Sequence, residues 1–132
     1  MLKRLLQSCR PRFCNHLDNH ISLTTDVYQA VHVTPQTQIE NQQFKQYMEN
    51  LIHKQLNTQT SSVWVHLSSN NLPLIDQLVN KFSFKLHHCK DSNVNLYRWM
   101  KTDKKDLVPP YSIHMVSCGG IIVNDGRLLY VK

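Results

Sequence analysis

The sequence predicts an α/β domain, a mixed sheet with two covering helices, followed by a β-hairpin that opens a second sheet. Three observations support this prediction: β-branched and aromatic runs alternate with an amphipathic helix, residues 101–110 are polar and end in two prolines, and Asn124-Asp125-Gly126 separates two apolar runs. The expected order is strand, helix, strand, helix, strand, strand, which is typical of an α/β sandwich with a helical cover.

The first part of this domain predicts one strand and one helix. A strand is expected at residues 27–33, and Thr34-Pro35 ends it. Thr37, with Glu40 three residues later, has the form of a capping box, which marks the start of a helix. We expect that helix to face the core through the apolar residues that recur with helical spacing, namely Phe44, Tyr47, Met48, Leu51 and Ile52.

The second part predicts three further strands and a short helix. Residues 63–67 are β-branched and aromatic, as is usual in a strand. Residues 82–89 alternate between apolar and polar side chains with a period of two, and a turn at 91–93 leads into a last strand at 94–100. Between the strands at 63–67 and 82–89 we expect a short helix that begins near Pro73. Its inward-facing residues are predicted to be Leu74, Ile75, Leu78 and Val79.

The C-terminal segment predicts a hairpin, because Asp125-Gly126 lies between the apolar runs 121–123 and 128–131. A type I′ turn needs positive φ at both central residues, which this pair favours. A two-stranded hairpin is marginal alone, so we expect the start of a domain whose remainder is absent from this chain. The predicted divisions are a leader or disordered segment at residues 1–25, a first domain at 26–100, a linker at 101–110 and a truncated second domain at 111–132.

Composition narrows the function classes. The 132 residues carry a net charge of +6, but the basic side chains are scattered and form no basic helix face, so neither a specific nucleic-acid partner nor a membrane is predicted. No apolar run approaches the roughly 20 residues of a membrane-spanning helix. The chain has four cysteines, at positions Cys9, Cys14, Cys89 and Cys118. They lack a CxxC pair, which argues against a zinc site, and they are too few in a chain of this length for a disulfide scaffold.

The first 17 residues contain no acidic side chain and four basic ones. This composition is typical of a mitochondrial transit peptide. An ordinary disordered basic N-terminus fits equally well, and the cytoplasm or the nucleus is then the alternative location.

Three groups of residues invite a chemical interpretation, and none predicts a catalytic or metal-binding residue in this chain. Adjacent residues on a regular strand point to opposite faces, so His87 and His88 are expected to lie one in the core and one at the surface. Cys118 has no general base placed near it by the sequence, so a small buried thiol is the simpler interpretation. The glycines are too few and misplaced for a phosphate-binding loop: Gly119, Gly120 and Gly126.

Several short segments, taken in order, resemble the pre-Nudix branch of the Nudix hydrolases, which includes plant ADP-ribose and NADH pyrophosphatases. They are Val63-Trp-Val-His-Leu67, then Phe84-Lys-Leu-His-His-Cys89 (similar to F-x-F/Y-H-H-A), Leu96 with Trp99 (similar to L-x-x-W), and Tyr111 to Val116 with Gly119-Gly120. Two departures exist: Ser83 stands where the family usually has glycine, and Ser117-Cys118 interrupts the glycine-containing strand.

The resemblance implies an acetyltransferase-like pre-Nudix domain followed by the opening of a Nudix fold. In this family the Nudix box, G-x5-E-x7-R-E-U-x-E-E-x-G-U, places glutamates on one helix to hold Mg²⁺ against a diphosphate. The only glutamates in the chain are Glu40 and Glu49, both in the first domain. We therefore expect Mg²⁺-dependent hydrolysis of nucleoside diphosphate derivatives only in a longer parent protein, and none in this chain.

Two other functions remain to be weighed. A stand-alone pre-Nudix module would bind a partner or form a homodimer without enzyme activity. A functional acetyltransferase would need a glycine-containing pyrophosphate loop, and residues 27–110 contain no glycine, which argues against that activity.

Overall fold

The computed structural model describes residues 19–56, 58–114, 116 and 122–129. This part of the chain contains seven strands, two α-helices and a 3₁₀ helix at Ser69–Leu74. The helices are α1 (Asn41–Leu56) and α2 (Ile75–Asn80). The strands are β1 (Ile21–Thr25), β2 (Ala30–Pro35), β3 (Ser62–Ser68), β4 (Lys85–Lys90), β5 (Asn93–Trp99), β6 (Ile122–Asn124) and β7 (Arg127–Leu129).

Five of the strands form one mixed sheet in the order β1-β2-β3-β5-β4. Strands β2 and β3 run parallel because α1 connects them as a crossover, and the other neighbours pair antiparallel. A mixed α/β sheet with two helices is confirmed.

Strand β1 occupies the end of the segment that the sequence assigns to a leader. Ile21 is buried and pairs with Pro35, but the other four side chains of the strand are exposed. An edge strand of this kind has almost no apolar pattern, so hydrophobic periodicity does not reveal it.

Helix α1 buries the five apolar residues that the sequence predicts for its inner face. It begins at Asn41, with the first helical bond from the Phe44 N–H to the Glu40 carbonyl at 3.0 Å. The predicted capping box at Thr37 is wrong, because the helix begins at Asn41 and not directly after Thr37. The chain before the helix is held instead by buried Asn71. Its Oδ1 accepts from the Ile39 N–H at 3.1 Å, and its Nδ2 donates to the Thr37 carbonyl at 3.0 Å.

The hydrophobic core lies between the helices and one face of the sheet, which we name the covered face. Alternate residues of β2, β3 and β5 reach it, as a period of two requires. The side chains that are fully enclosed there include Val33, Phe44, Met48, Val63, Val65, Leu67, Leu74, Leu78 and Leu96.

Strand β4 starts three residues later than the alternation predicts. Phe82 and Phe84 precede it, and both are buried in the core. Ser83 between them has a φ of 57°, the left-handed region that glycine adopts most readily.

The hairpin of β6 and β7 forms a separate two-stranded sheet. Asp125 and Gly126 have φ values of 49° and 71°, so the predicted type I′ turn is confirmed. Residues 111–114, at the start of the predicted second domain, are not in a strand. Residues 1–18 and the residues Cys118, Gly119 and Gly120 lie outside the described part of the chain. Across the described ranges, no helix combines the length and the apolar character that a membrane span requires.

Candidate functional site

The second face of the five-stranded sheet, which we name the open face, carries rings and polar groups instead of aliphatic side chains. Its residues alternate with those of the covered face along the same strands. They are buried or half-buried: His32, Trp64, His66, His87, His88, Asn95 and Tyr97. Such a concentration of imidazole and aromatic groups on one surface makes it the candidate functional site.

Asp26, in the turn between β1 and β2, is fixed at one side of this face. Its Oδ1 accepts hydrogen bonds from the backbone N–H groups of Tyr28 at 2.8 Å and Ala30 at 2.9 Å. Its Oδ2 lies 3.1 Å from His32 Nε2. Burial acts to raise the pKa of Asp26, but the hydrogen bonds from Ala30, His32 and Tyr28 outweigh it and hold the pKa below its usual value.

From Asp26 a continuous series of hydrogen bonds, which we name the imidazole chain, crosses the open face. His32 Nδ1 lies 2.9 Å from His66 Nε2, and His66 Nδ1 lies 2.5 Å from Asn95 Oδ1. Asn95 Nδ2 donates to His88 Nε2 at 3.0 Å. The series then continues from His88 Nδ1 to His87 Nδ1 at 2.7 Å, and from His87 Nε2 to the carbonyl of Pro109 at 2.8 Å.

The placement of His87 and His88 corrects the prediction that one lies in the core and the other at the surface. Both are half-buried on the open face and bond to each other. The register of β4 against β5 shifts between Leu86 and His88. An irregularity of this kind inserts an extra residue into a strand and breaks the alternation of faces, so two adjacent histidines meet on one side.

The rings of the open face also pack against one another. The ring centroids of Trp64 and Tyr97 lie 5.2 Å apart, as do those of His32 and His66, with the planes inclined by 28° and 8°. At the other side of the face, His88 stacks on Tyr111 at 4.2 Å with an angle of 11°. Offset stacking adds stabilisation beyond the area buried.

The segment predicted to be a linker lies against this face. Trp99 Nε1 donates to the Lys104 carbonyl at 3.1 Å. Asp106 Oδ2 accepts from the Tyr97 hydroxyl at 3.0 Å and from Lys85 Nζ at 2.8 Å. Burial raises the pKa of the Tyr97 hydroxyl, and its bond to Asp106 raises it further. For Asp106 itself, burial acts upward, but the bonds from Lys85, the Val108 N–H and Tyr97 hold the pKa below its usual value.

Between this segment and strands β2 and β3 lies a cavity of about 640 Å³. Its walls include Asp26, Tyr28, His32, Trp64, Trp99 and Pro109. Small-molecule sites have volumes of roughly 300–1,000 Å³ and are mostly apolar with a few polar groups, so the cavity has the size and lining of such a site.

The residues singled out by sequence lie elsewhere or take other roles. Cys89 is an exposed free thiol. Among the described residues, no group of three or more histidine, cysteine, aspartate or glutamate side chains is placed to hold a metal ion. Sequence reasoning missed His32, His66 and Asp26. The available signal was the polar side chain between aliphatic neighbours, as in Val31-His32-Val33 and Val65-His66-Leu67.

Comparison with protein families identifies the family to which this chain belongs. The model of the Nudix hydrolase domain matches residues 21–100, which is more than half of the chain. The chain belongs to the Nudix hydrolase domain family. No curated protein matches it at a significant level. The matched Nudix residues run from the start of β1 to just past β5, so they include the whole five-stranded sheet and every histidine of the imidazole chain.

The two glutamates of this Nudix chain do not form an acidic cluster. Glu40 immediately precedes α1 and is exposed, while Glu49 in α1 is exposed and paired with Lys81. The hydrogen bond to Lys81 lowers the pKa of Glu49. Asp26 and Asp106 are each engaged by several donors. These four carboxylates therefore do not fit the arrangement that a diphosphate-bound Mg²⁺ requires.

Proposed function

We propose that the complete protein is a Nudix-type hydrolase that cleaves nucleoside diphosphates linked to another moiety, of the ADP-ribose or NADH kind. In this proposal residues 26–100 are its acetyltransferase-like pre-Nudix domain and residues 111–132 open the catalytic domain. The observation that carries the assignment to a Nudix-type hydrolase is the Nudix hydrolase domain match, which falls on residues 21–100, the segment that this proposal assigns to the pre-Nudix domain. The order of the pre-Nudix-like segments along β3, β4 and β5 supports the assignment to that branch.

The proposal places the Mg²⁺ ligands in a part of the complete protein that lies beyond residues 1–132. Its support is the chemistry of the carboxylates: a Nudix box needs several glutamates on one helix, and this chain has Glu40 and Glu49 alone. We therefore expect the 132-residue chain to be inactive by itself.

The overall reaction adds water across a phosphoanhydride. With ADP-ribose, an oxygen of water bonds to one phosphorus, the bond from that phosphorus to the bridging oxygen breaks, and AMP and ribose 5-phosphate are released. The test is to purify the endogenous protein, record its intact mass, and assay AMP release from ADP-ribose and NADH with Mg²⁺ and with EDTA.

The expected result is a mass well above the 15.5 kDa of this chain and release of AMP that EDTA abolishes. A larger protein that hydrolyses none of a panel of nucleoside diphosphate derivatives would contradict the proposed activity. Enzyme-like hydrolysis by residues 1–132 alone would contradict the placement of the metal ligands.

A second candidate is a stand-alone pre-Nudix module that forms a homodimer or binds another protein without enzyme activity. The observation that favours it is the pair of open sheet edges: Leu23 on β1 is 47% exposed and Leu86 on β4 is 59% exposed. Exposed edge strands are the usual site of pairing with another chain. An endogenous mass of 15.5 kDa, with a dimer in sedimentation and no hydrolysis, would support this candidate and exclude the first.

For location, we propose import into mitochondria, directed by residues 1–17. The support is their composition, four basic side chains and no acid. Fusing residues 1–25 to a fluorescent protein tests this, with Arg4, Arg10 and Arg12 changed to glutamine as the control. Mitochondrial fluorescence that the control abolishes is the expected result, whereas a cytoplasmic or nuclear signal from the unchanged fusion would refute it.

A further inference from the structure

One buried polar side chain in the described part of the chain has an unused hydrogen-bond donor. The buried polar residues there are Thr60, Ser62, Asn71 and Asn95. In Thr60, Asn71 and Asn95 the side-chain donor is bonded to an oxygen or nitrogen atom at 2.6 to 3.0 Å. Ser62 differs, because its Oγ accepts from the indole N–H of Trp64 at 3.2 Å and its own hydroxyl hydrogen has no acceptor among the described residues. Such a buried donor is unfavourable unless an acceptor from outside the chain reaches it.

An outside acceptor can reach Ser62, because this residue lines the cavity between the open face and residues 107–109. Ser62, Trp64 and His66 are alternate residues of β3, so their side chains all belong to the open face. The bond from the Trp64 indole polarises the Ser62 hydroxyl and strengthens it as a donor. The cavity therefore offers a hydroxyl donor to the molecule that occupies it.

The other polar groups of the cavity wall are engaged within the chain. Asp26 Oδ1 accepts from two backbone N–H groups, and its Oδ2 lies 3.1 Å from His32 Nε2. The indole N–H of Trp99 donates to the Lys104 carbonyl at 3.1 Å. No lysine or arginine is among the described residues that line the cavity, so an anion finds no partner there. The rest of the wall is mostly apolar, and the cavity therefore suits an uncharged ligand.

The shape of the cavity favours a flat ring. The ring planes of His32, Trp64 and His66 lie within 18° of one another, so a flat molecule parallel to one of them is parallel to all three. On the side of residues 107–109 the wall consists of leucine, valine and proline. Offset contact between aromatic planes is favourable beyond the area buried, which gives an aromatic ring an advantage over a saturated one.

We propose that this cavity binds an uncharged, flat aromatic molecule with a hydrogen-bond acceptor at its edge, such as a ring carbonyl, and that the Ser62 hydroxyl donates to this acceptor. The ring of the ligand lies parallel to Trp64, and Ser62 gains the acceptor that it lacks within the chain. The site uses only the sheet, the turn before β2 and residues 107–109. It therefore stands or fails independently of diphosphate hydrolysis by the complete protein.

The test is titration of the 132-residue chain with coumarin, a flat and uncharged lactone, followed in ¹⁵N–¹H NMR spectra. The chain has two tryptophans, Trp64 and Trp99, and both line the cavity, so both indole N–H signals report on its occupancy. Octahydrocoumarin is the matched probe that keeps the carbonyl but is not flat. The expected result is a saturable shift of both indole signals with coumarin, and binding of octahydrocoumarin that is weaker by roughly fivefold.

The variant Ser62→Ala separates the hydrogen bond from the rest of the site. It should weaken coumarin binding by roughly fivefold and leave the binding of naphthalene, a flat hydrocarbon without an acceptor, essentially unchanged. The control is Ser92→Ala, on the exposed turn at the other end of β5, which should affect neither probe. Circular dichroism confirms folding, and Ser62→Cys, whose thiol is a weak donor, replaces the alanine variant if that variant does not fold.

A second variant, Trp64→Leu, tests the aromatic contact, and it should weaken coumarin and naphthalene by roughly tenfold while octahydrocoumarin changes little. Three results would each overturn the proposal. They are indole shifts that do not saturate with coumarin, equal affinity for coumarin and octahydrocoumarin, and a Ser62 variant that binds coumarin as tightly as the unchanged chain or loses both flat probes to the same extent.

Discussion

The two faces of the five-stranded sheet are held by different forces, although the same strands supply both. On the covered face, β3 contributes Val63, Val65 and Leu67, which are fully buried against the helices. On the open face the same strand contributes Trp64 and His66, whose neighbours are rings and polar groups. Aliphatic burial is non-directional and insensitive to pH, whereas a series of imidazole bonds depends on protonation and exact geometry. Stability is therefore concentrated on one face, and sensitivity to conditions on the other.

The largest effect is expected from a substitution on the covered face. Phe44 in α1 is fully buried at the centre of the core. Phe44→Ala should lower the free energy of unfolding by about 3–5 kcal/mol, because it removes apolar contacts and leaves a cavity. Urea denaturation measures this change. The control is Leu86→Ala on exposed β4, which should shift stability by less than about 0.5 kcal/mol. Equal effects would mean that the helices do not cover the main core.

A second test concerns the polar contact that positions α1 over the covered face. Asn71 is buried and bonds to both Thr37 and Ile39. Asn71→Ala should cost about 2–3 kcal/mol, because the N–H of Ile39 loses its partner in a buried setting. Asn70→Ala, at the exposed neighbouring position, is the control and should have little effect. If both variants melt alike, Asn71 does not hold the segment before the helix.

A third test addresses the open face at the centre of the imidazole chain. Asn95 accepts from His66 and donates to His88. Asn95→Ala should cost about 1–2 kcal/mol in urea denaturation, less than the core variant, because half-open groups regain bonds to water. The ¹⁵N shifts of the His66 and His88 rings should change together. Asn93→Ala, exposed at the start of β5, is the control; unchanged ring shifts in the Asn95 variant would argue against a connected chain.

The sequence was informative about helix α1 on the covered face and about the C-terminal hairpin, because local patterns determine both. The stripe from Phe44 to Ile52 follows from helical spacing, and the turn at Asp125-Gly126 follows from the φ values that a type I′ turn demands. Both depend on neighbours within a few residues, so a single sequence contains the information.

The open face could not be predicted in the same way, because its contacts join residues far apart in the chain. His32 and His66 are 34 residues apart, and His87 meets a carbonyl 22 residues later. The irregularity in β4 brings two adjacent histidines to one side, against the rule of alternation. Asp26 reaches the site because Gln29, with a φ of 63°, tightens the turn between β1 and β2.

The smallest effect, and the one that separates the faces by pH, is expected at Asp106. In the folded chain the pKa of Asp106 lies below its usual value, because Lys85 and Tyr97 donate hydrogen bonds to its carboxylate. These bonds stabilise the fold at pH values above the unfolded pKa of about 3.9. The stabilisation is lost as the pH falls through the folded pKa. Asp106→Asn should therefore lower stability at pH 7 by about 1 kcal/mol or less, with a difference that shrinks below pH 4. Thermal melts of both proteins from pH 7 to pH 3 measure it, and Asp103→Asn in the same segment is the exposed control. A difference that persists unchanged at pH 3 would mean that Asp106 acts through packing and not through its charge, and the contrast between the two faces would then lose its electrostatic part.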